Sequence, residues 1–282
     1  ESQSSSAQRM YSARAPTYNA TWHPSYSARF VSLAPLVPGH RVLDLCCGTG
    51  GDALLAADAV GAEGQVVAVD ITQGMLDQEQ EEKRTAKLLK DRVAVFRHDV
   101  TDLDGPDMLA KGSFDVLLCS TAFVLLQNPE QVVAHWMDYL RPGGAMVIDI
   151  PHEHNLRAGS VLEKVVKEHL DPHQKGAGFP GNRAWVESRE SFCRLLEGAG
   201  MRVEAVHVLE DITGHGTRYY DVEEAESVLA KLVEESSLTA GTTLPEGFRE
   251  KLGPLFVEAW KDAAVDGKVE DVDVLYVYVA RK

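Results

Sequence analysis

The chain has 282 residues, 44% hydrophobic and 25% charged, with a formal net charge of -15; this is the profile of an ordinary globular protein. Such an excess of acid leaves too few Lys and Arg to neutralise a polyanion, which argues against nucleic acid and anionic membrane surfaces as partners and suits small or cationic molecules. No apolar run reaches the ~18 residues of a membrane span.

The opening ESQSSSAQ reads as disordered, and it lacks the basic and apolar regions of a signal peptide. It also lacks an initiator Met, so we expect a trimmed, cytoplasmic protein. Cys46, Cys47, Cys119 and Cys193 form no Cys-x-x-Cys unit, as expected of free thiols in a reducing compartment. Short helices are predicted over Arg9 to Arg14 and Ser25 to Leu36, broken by Pro16 and Pro24. RVLDLCC (41–47) follows as a short apolar strand of the buried parallel kind.

From there the period alternates. Helices are predicted over Asp52 to Val60, Gly74 to Leu89, Gly105 to Ala110 and Pro129 to Leu140. Strands are predicted over 65–70, 92–97, 114–119 and 145–150. Strands alternating with helices argue for βαβ units in a doubly wound parallel sheet. Beyond 151 the spacing predicts a helix over Val161 to Leu170, a loop over 171–182, a helix over Ser188 to Glu197 and a strand over 202–209. Residues 211–269 carry two helical patterns, Val222 to Glu235 and Pro245 to Ala264. They read as an inserted lid before the alternating final strand, 272–281.

The turn after the first strand, Gly48-Thr49-Gly50-Gly51-Asp52-Ala53, has the spacing of a dinucleotide fingerprint, which leaves an NAD(P)-linked oxidoreductase open. In open α/β sheets ligands lie outside the carboxyl ends of the strands. Gly48, Asp70, Asp99, Cys119, Ser120 and the pair His152 and His154 all fall at such ends. Asp70 is placed to accept both ribose hydroxyls. Asp99 is placed to accept from an adenine amino group, and Ile71 to pack on the base. Asp44 argues against a pyrophosphate in the turn. A carboxylate inside the first strand suits a cation, such as a sulfonium bearing an α-amino group.

The segments VLDLCCGTGGD, VVAVDITQGML, RHDVTDL, FDVLLCSTAFVLL and YLRPGGAMVIDI together resemble the class I S-adenosylmethionine (SAM)-dependent methyltransferases, most closely their ubiquinone-biosynthesis-type, small-molecule branch. The resemblance covers 41–151 and extends weakly to the final strand. It implies a Rossmann-like, doubly wound seven-stranded sheet whose last strand is antiparallel and inserted beside the fifth, plus N-terminal helices and a helical lid. One domain over 1–282 is expected: cap helices to 38, a SAM-binding core over 39–151 and an acceptor-side half from 152. The resemblance implies that Asp44, Gly48 and Gly50 hold the methionine part, that Asp99 and Val100 meet the adenine edge and that the Cys119 carbonyl receives the amino group. Cys46, Thr49, Met75 and Ser120 complete that wall. Tyr11 and Tyr18, on what resemble the family's entrance helices, would lie over the cofactor. One departure is Cys46, where the family often has Gly or Ala.

O- or N-methylation is expected ahead of C-methylation; an O or C nucleophile needs a proton acceptor, and His152 or His154 is expected to serve. No metal is expected. Trp22, His23, Phe123, Trp185, His215, Tyr219 and Tyr220 are the expected acceptor contacts. The expected partner is a small organic methyl acceptor, and the expected assembly a monomer or homodimer. A rival reading is a SAM-binding regulator that transfers nothing.

Overall fold

The computed structural model describes residues 3–85, 92–105, 109–169, 186–235 and 246–282. Apolar β-branched runs form the strands β1 (Arg41–Leu45), β2 (Gln65–Asp70), β3 (Val93–Arg97), β4 (Phe114–Cys119) and β5 (Leu140–Pro151). The helices among them are α1 (Gln3–Tyr18), α2 (His23–Ser32), α3 (Gly51–Val60), α4 (Gln73–Thr85) and α5 (Pro129–Met137). Then follow α6 (Arg157–His169), α7 (Arg189–Gly198), β6 (Arg202–Glu210), β7 (Arg218–Asp221), α8 (Ala225–Glu235), α9 (Glu246–Asp262), β8 (Lys268–Asp271) and β9 (Val274–Arg281).

Seven strands make one sheet in the order β3-β2-β1-β4-β5-β9-β6. β1 to β5 pair in parallel, and β9 runs antiparallel between β5 and β6. The seven-stranded architecture with an antiparallel last strand is therefore as expected. Strand order reverses between β1 and β4, where a doubly wound sheet opens a crevice at its carboxyl edge.

The period of two assigns each strand residue to a layer. Leu43, Leu45, Val67, Val69, Leu117, Met146 and Ile148 face Trp136 and Phe192 of α5 and α7. Val42, Val66, Ala68, Val116, Leu118 and Val147 face Phe30 of α2 and Ala53, Ala56 and Val60 of α3. By the same alternation Asp44, Asp70 and Asp149 project on the α2/α3 side.

A third core joins α6, α8, α9 and β8 through Val161, Val165, Leu252, Phe256, Trp260 and Val269. It packs α6, which follows β5, against the excursion between β6 and β9, which is expected to be purely helical. β7 and β8 instead pair there as an antiparallel ribbon. Four-residue strands such as Arg218–Asp221 are too short to show an alternation.

Other boundaries shift for local reasons. The N-terminus is helical from Gln3, and Pro16 lies inside the helix, near its end. Polar propensity is overridden by packing: the backbone of Ser12 lies against Gly74, with 3.3 Å from its Cα to the position of a Cβ on that glycine. β1 stops at Leu45 because Cys46 turns left-handed, φ 58°. The segment Leu140 to Gly144, expected to end a helix, belongs to β5. The loop expected over 171–182 lies outside the described residues, as does most of the short helix expected near Gly105.

α7 begins on Ser188, whose hydroxyl accepts from Ser191 N–H at 3.2 Å. Ser188→Ala is expected to cost ~1 kcal/mol, the usual loss of an N-cap, read as a shift of the urea midpoint at constant slope.

Candidate cofactor and acceptor site

Two adjoining cavities, each about 320 Å³, open at the carboxyl edge where the strand order reverses. The first is walled by Tyr11 of α1, by Asp70, Ile71, Thr72 and Met75 after β2, by Asp99, Val100 and Thr101 after β3, and by Ala122 to Asn128 after β4, Phe123 and Val124 excepted. The second is walled by Asn19, His23, Tyr26 and Ser27 from the N-terminal helices and by Cys47, Thr49, Gly51, Asp52 and Leu54 at the start of α3. Tyr18, Cys46, Gly48, Ser120 and Thr121 belong to both walls, so the two spaces meet between the ends of β1 and β4.

Asp70 ends β2 and is 8% exposed. Its Oδ2 accepts from Gly48 N–H at 3.0 Å and its Oδ1 from Thr72 N–H at 2.7 Å. Each oxygen keeps a lone pair for a ligand. Burial pushes the carboxyl upward, and the backbone donors oppose that shift. Asp99 Oδ1 accepts from Thr101 N–H at 2.9 Å and Oγ1 at 2.7 Å, a local turn that fixes its side chain beside Val100.

Asp44 is 1% exposed, and neither of its oxygens has a hydrogen-bond partner among the described residues. Burial pushes its carboxyl well up, reinforced by Asp52 and Glu79. It lies beneath the turn and forms no part of either cavity wall. Asp52, in the first turn of α3, does wall the second cavity. Its Oδ2 accepts from Ser120 Oγ, and Ser27 bonds it as well, while Oδ1 has no partner among the described residues. Buried carboxylate oxygens without donors are costly unless a ligand supplies them. The functional signal missed in the sequence is thus the acid directly after the glycines. An acid in the first turn of a helix usually passes for a dipole partner.

The two adjacent cysteines face opposite layers. Cys46 packs with the α5/α7 side, where Cys119 hydrogen-bonds it. Cys47 packs with the α2/α3 side and its thiol donates to Glu79 Oε2 at 3.5 Å. Cys119 itself is fully buried and walls neither cavity. Gly50 serves as the N-cap of α3 at φ 79° and is in neither wall.

The expected acceptor contacts disperse. His23 walls the second cavity, its ring stacked on Tyr18 at 3.6 Å; burial pushes its pKa down to about 4. Trp22 stacks on His23 at 3.8 Å outside that wall. Phe123 is a correction: it is fully buried in the core, edge-on to Trp136 and Phe192, because the left-handed Thr121 (φ 51°) redirects the chain into the α5/α7 layer. Tyr220 packs on Trp260 in the lid core, and Tyr219 and His215 are exposed. Trp185 lies outside the described residues.

His152 and His154, at the end of β5, wall neither cavity. His152 Nδ1 accepts from His154 N–H at 3.0 Å, and its ring lies 5.0 Å from that of Tyr276. Burial lowers its pKa, opposed by Glu153. His154 Nδ1 meets Glu270 Oε2 of the ribbon at 2.7 Å. Among the described residues no group of three or more His, Cys, Asp or Glu is arranged to hold a metal ion. No described helix is long and apolar enough to cross a membrane.

With this geometry in view, comparison with known proteins is informative. Residues 42–144 match the family described as "Methyltransferase domain". The chain is similar to the aklanonic acid methyltransferase DauC of Streptomyces sp. (strain C5), 28% identical over 183 residues, 61% of this chain and 79% of that protein. It is 30% identical to a demethylmenaquinone methyltransferase of Symbiobacterium thermophilum over 126 residues, 45% of this chain and 47% of that protein. Its fold matches that of the [4+2]-cyclase SpnF with a TM-score of 0.58 at 16% identity, covering 100% of this chain and 97% of that one. Residues 42–144 are therefore similar to a methyltransferase domain, and they make up most of the parallel half of the seven-stranded sheet.

Proposed function

We propose that the protein transfers the methyl group of SAM to the oxygen or nitrogen of a small organic acceptor. The observation that carries this reading is the pair of cavities joined at Tyr18, Cys46, Gly48, Ser120 and Thr121, with buried, unpartnered carboxylate oxygens on one side. The residues present fit the cofactor. Asp70 suits ribose hydroxyls; Ile71, Met75 and Val100 suit a flat base, and Asp99 suits its amino group. Asp52, with Asp44 beneath it, suits a cationic amino-acid end. Asn19, Ser27 and Thr49 line the same cavity, with Thr49 Oγ1 donating to Asn19 Oδ1 at 2.6 Å. SAM, when bound, supplies an electrophilic methyl group on a sulfonium.

The protein's own contribution is alignment and exclusion of water. Tyr11 and Tyr18, from α1, roof the joined cavities. The core of α6, α8, α9 and β8 is the proposed acceptor-side lid. His152 is the leading proton acceptor. Its lowered pKa favours the neutral ring, in which Nδ1 accepts from His154 N–H and Nε2 bears the proton; to take the acceptor's proton, Nδ1 must give up that bond. An acceptor of the kind the relatives are named for, aklanonic acid or demethylmenaquinone, is the proposed class, and with it the ubiquinone-biosynthesis-type branch.

SAM labelled in the methyl group, incubated with the protein and an extract of small metabolites, tests this directly. The expected result is label in one low-molecular-weight product, with transfer reduced at least tenfold in His152→Ala. Binding of SAM with no label in any small molecule would favour a SAM-binding protein that transfers nothing. The fold likeness to a cyclase makes that the informative alternative.

A further inference from the structure

Ser120 and Thr121, the two residues that follow β4 into both cavity walls, are each held by a buried carboxylate from a different element. Asp52 of α3 accepts from Ser120 Oγ. Asp149 of β5 accepts from Thr121 N–H, with its two oxygens at 2.8 and 2.9 Å, and also from the Tyr26 hydroxyl of α2. Asp149 is 2% exposed and walls neither cavity. No part of the proposed reaction uses it. An acid in the middle of AMVIDI has no packing reason to be there, since burying an ionised carboxylate is costly unless its hydrogen bonds give something in return.

What it holds is unusual. Thr121 sits at φ 51°, a left-handed conformation that β-branched residues rarely adopt. In that conformation its side chain hydrogen-bonds Tyr18, and both residues stand at the junction of the cavities. Tyr26 in turn fixes α2, which brings His23 and Ser27 to the second cavity. One buried carboxylate thus ties the cap helix, the strained turn and the cavity junction together.

We propose that Asp149 is a positioning residue for the cofactor site: ionised, it locks Thr121 and Tyr26 in the binding-competent arrangement, and protonated, it releases them. This rests on the SAM-binding reading of the cavities. Protonation at Oδ1 leaves Oδ2 alone to accept from both Tyr26 O–H and Thr121 N–H and turns these charge-assisted bonds into weaker neutral ones. The left-handed turn then relaxes and carries the Thr121 hydroxyl away from Tyr18. Burial, opposed by the Tyr26 and Thr121 bonds and helped by Asp52, leaves the Asp149 carboxyl raised to about 7. The titratable groups facing it are Tyr26 of α2, Tyr18 of α1, Asp52 of α3 and Cys119 of β4; β9 places Val277 opposite it.

The test is calorimetric binding of S-adenosylhomocysteine, the demethylated cofactor, by the full chain from pH 5.5 to 9. For the wild type, affinity is expected to be flat well above pH 7 and to fall below it, by no more than about tenfold per pH unit, the limit for one proton. Asp149→Asn should bind about tenfold more weakly at pH 8.5 and show no break near 7. Tyr26→Phe, which keeps the ring, should move the break to higher pH, because the bond that favours the carboxylate is gone. A wild-type profile without the break, or the same break in Asp149→Asn, would overturn the proposal while leaving the cofactor site intact. No binding by the wild type at any pH would overturn the cofactor reading on which it rests.

Discussion

Asp70→Ala is expected to weaken SAM binding at least about 100-fold. Hydrogen bonds to a charged group are worth ~1.5–3 kcal/mol each, and two ribose hydroxyls on one carboxylate therefore account for ~3 kcal/mol or more, at about 1.4 kcal/mol per factor of ten. The same carboxylate holds Gly48 N–H at 3.0 Å and Thr72 N–H at 2.7 Å, so its removal also loosens the glycine turn. Asp70→Asn should be intermediate, since an amide N–H must then face one of those donors. Titration calorimetry with SAM measures both. Unchanged affinity in the alanine variant would refute the ribose assignment.

Gly50→Ala is expected to destabilise the fold by ~2–5 kcal/mol. Its φ of 79° disfavours any side chain, at ~1–2 kcal/mol. A Cβ there would also stand 2.3 Å from Glu79 Cγ and 2.7 Å from Cδ, overpacking that adds ~1–3 kcal/mol. Gly48→Ala is the informative control. Its φ is 56° with nothing within 4 Å of the added carbon, so only the backbone cost of ~1–2 kcal/mol applies. Gly48 walls both cavities, so that variant should lose cofactor affinity more than stability. Equal unfolding midpoints in urea for the two variants would show that the Glu79 contact yields without cost.

The sheet was legible because its strands are short, apolar runs separated by helices of regular length, and buried parallel strands leave that trace. Asp70, Ile71 and Asp99 were legible because a doubly wound sheet places its ligand at the carboxyl edge whatever the ligand is. α1 was not: its Ser- and Gln-rich turns have little helical preference of their own, and packing against α4 supplies what propensity lacks. The ribbon of β7 and β8 escaped notice because four residues cannot display a period. Phe123 follows a left-handed threonine, and no local pattern announces that the chain turns inward there.

The acids divide in the same way. Asp44 stands out in the sequence as a charge inside a buried strand; in the fold it is 1% exposed and belongs to neither cavity wall. Asp149 carries the same signature in β5, a lone acid among Met146, Val147, Ile148 and Ile150, each no more than 2% exposed. Its meaning depends on Tyr26, 123 residues away in the chain. A contact across that separation leaves no periodic trace in the sequence.

The central claim is that the joined cavities at the ends of β1 and β4 are a SAM site. Titration calorimetry of the full chain with SAM, with NAD and with NADP in parallel tests it most directly. SAM is expected to bind saturably, one to one, and neither dinucleotide to give any heat of binding. Binding of NAD or NADP in place of SAM, or of none of the three, would contradict it.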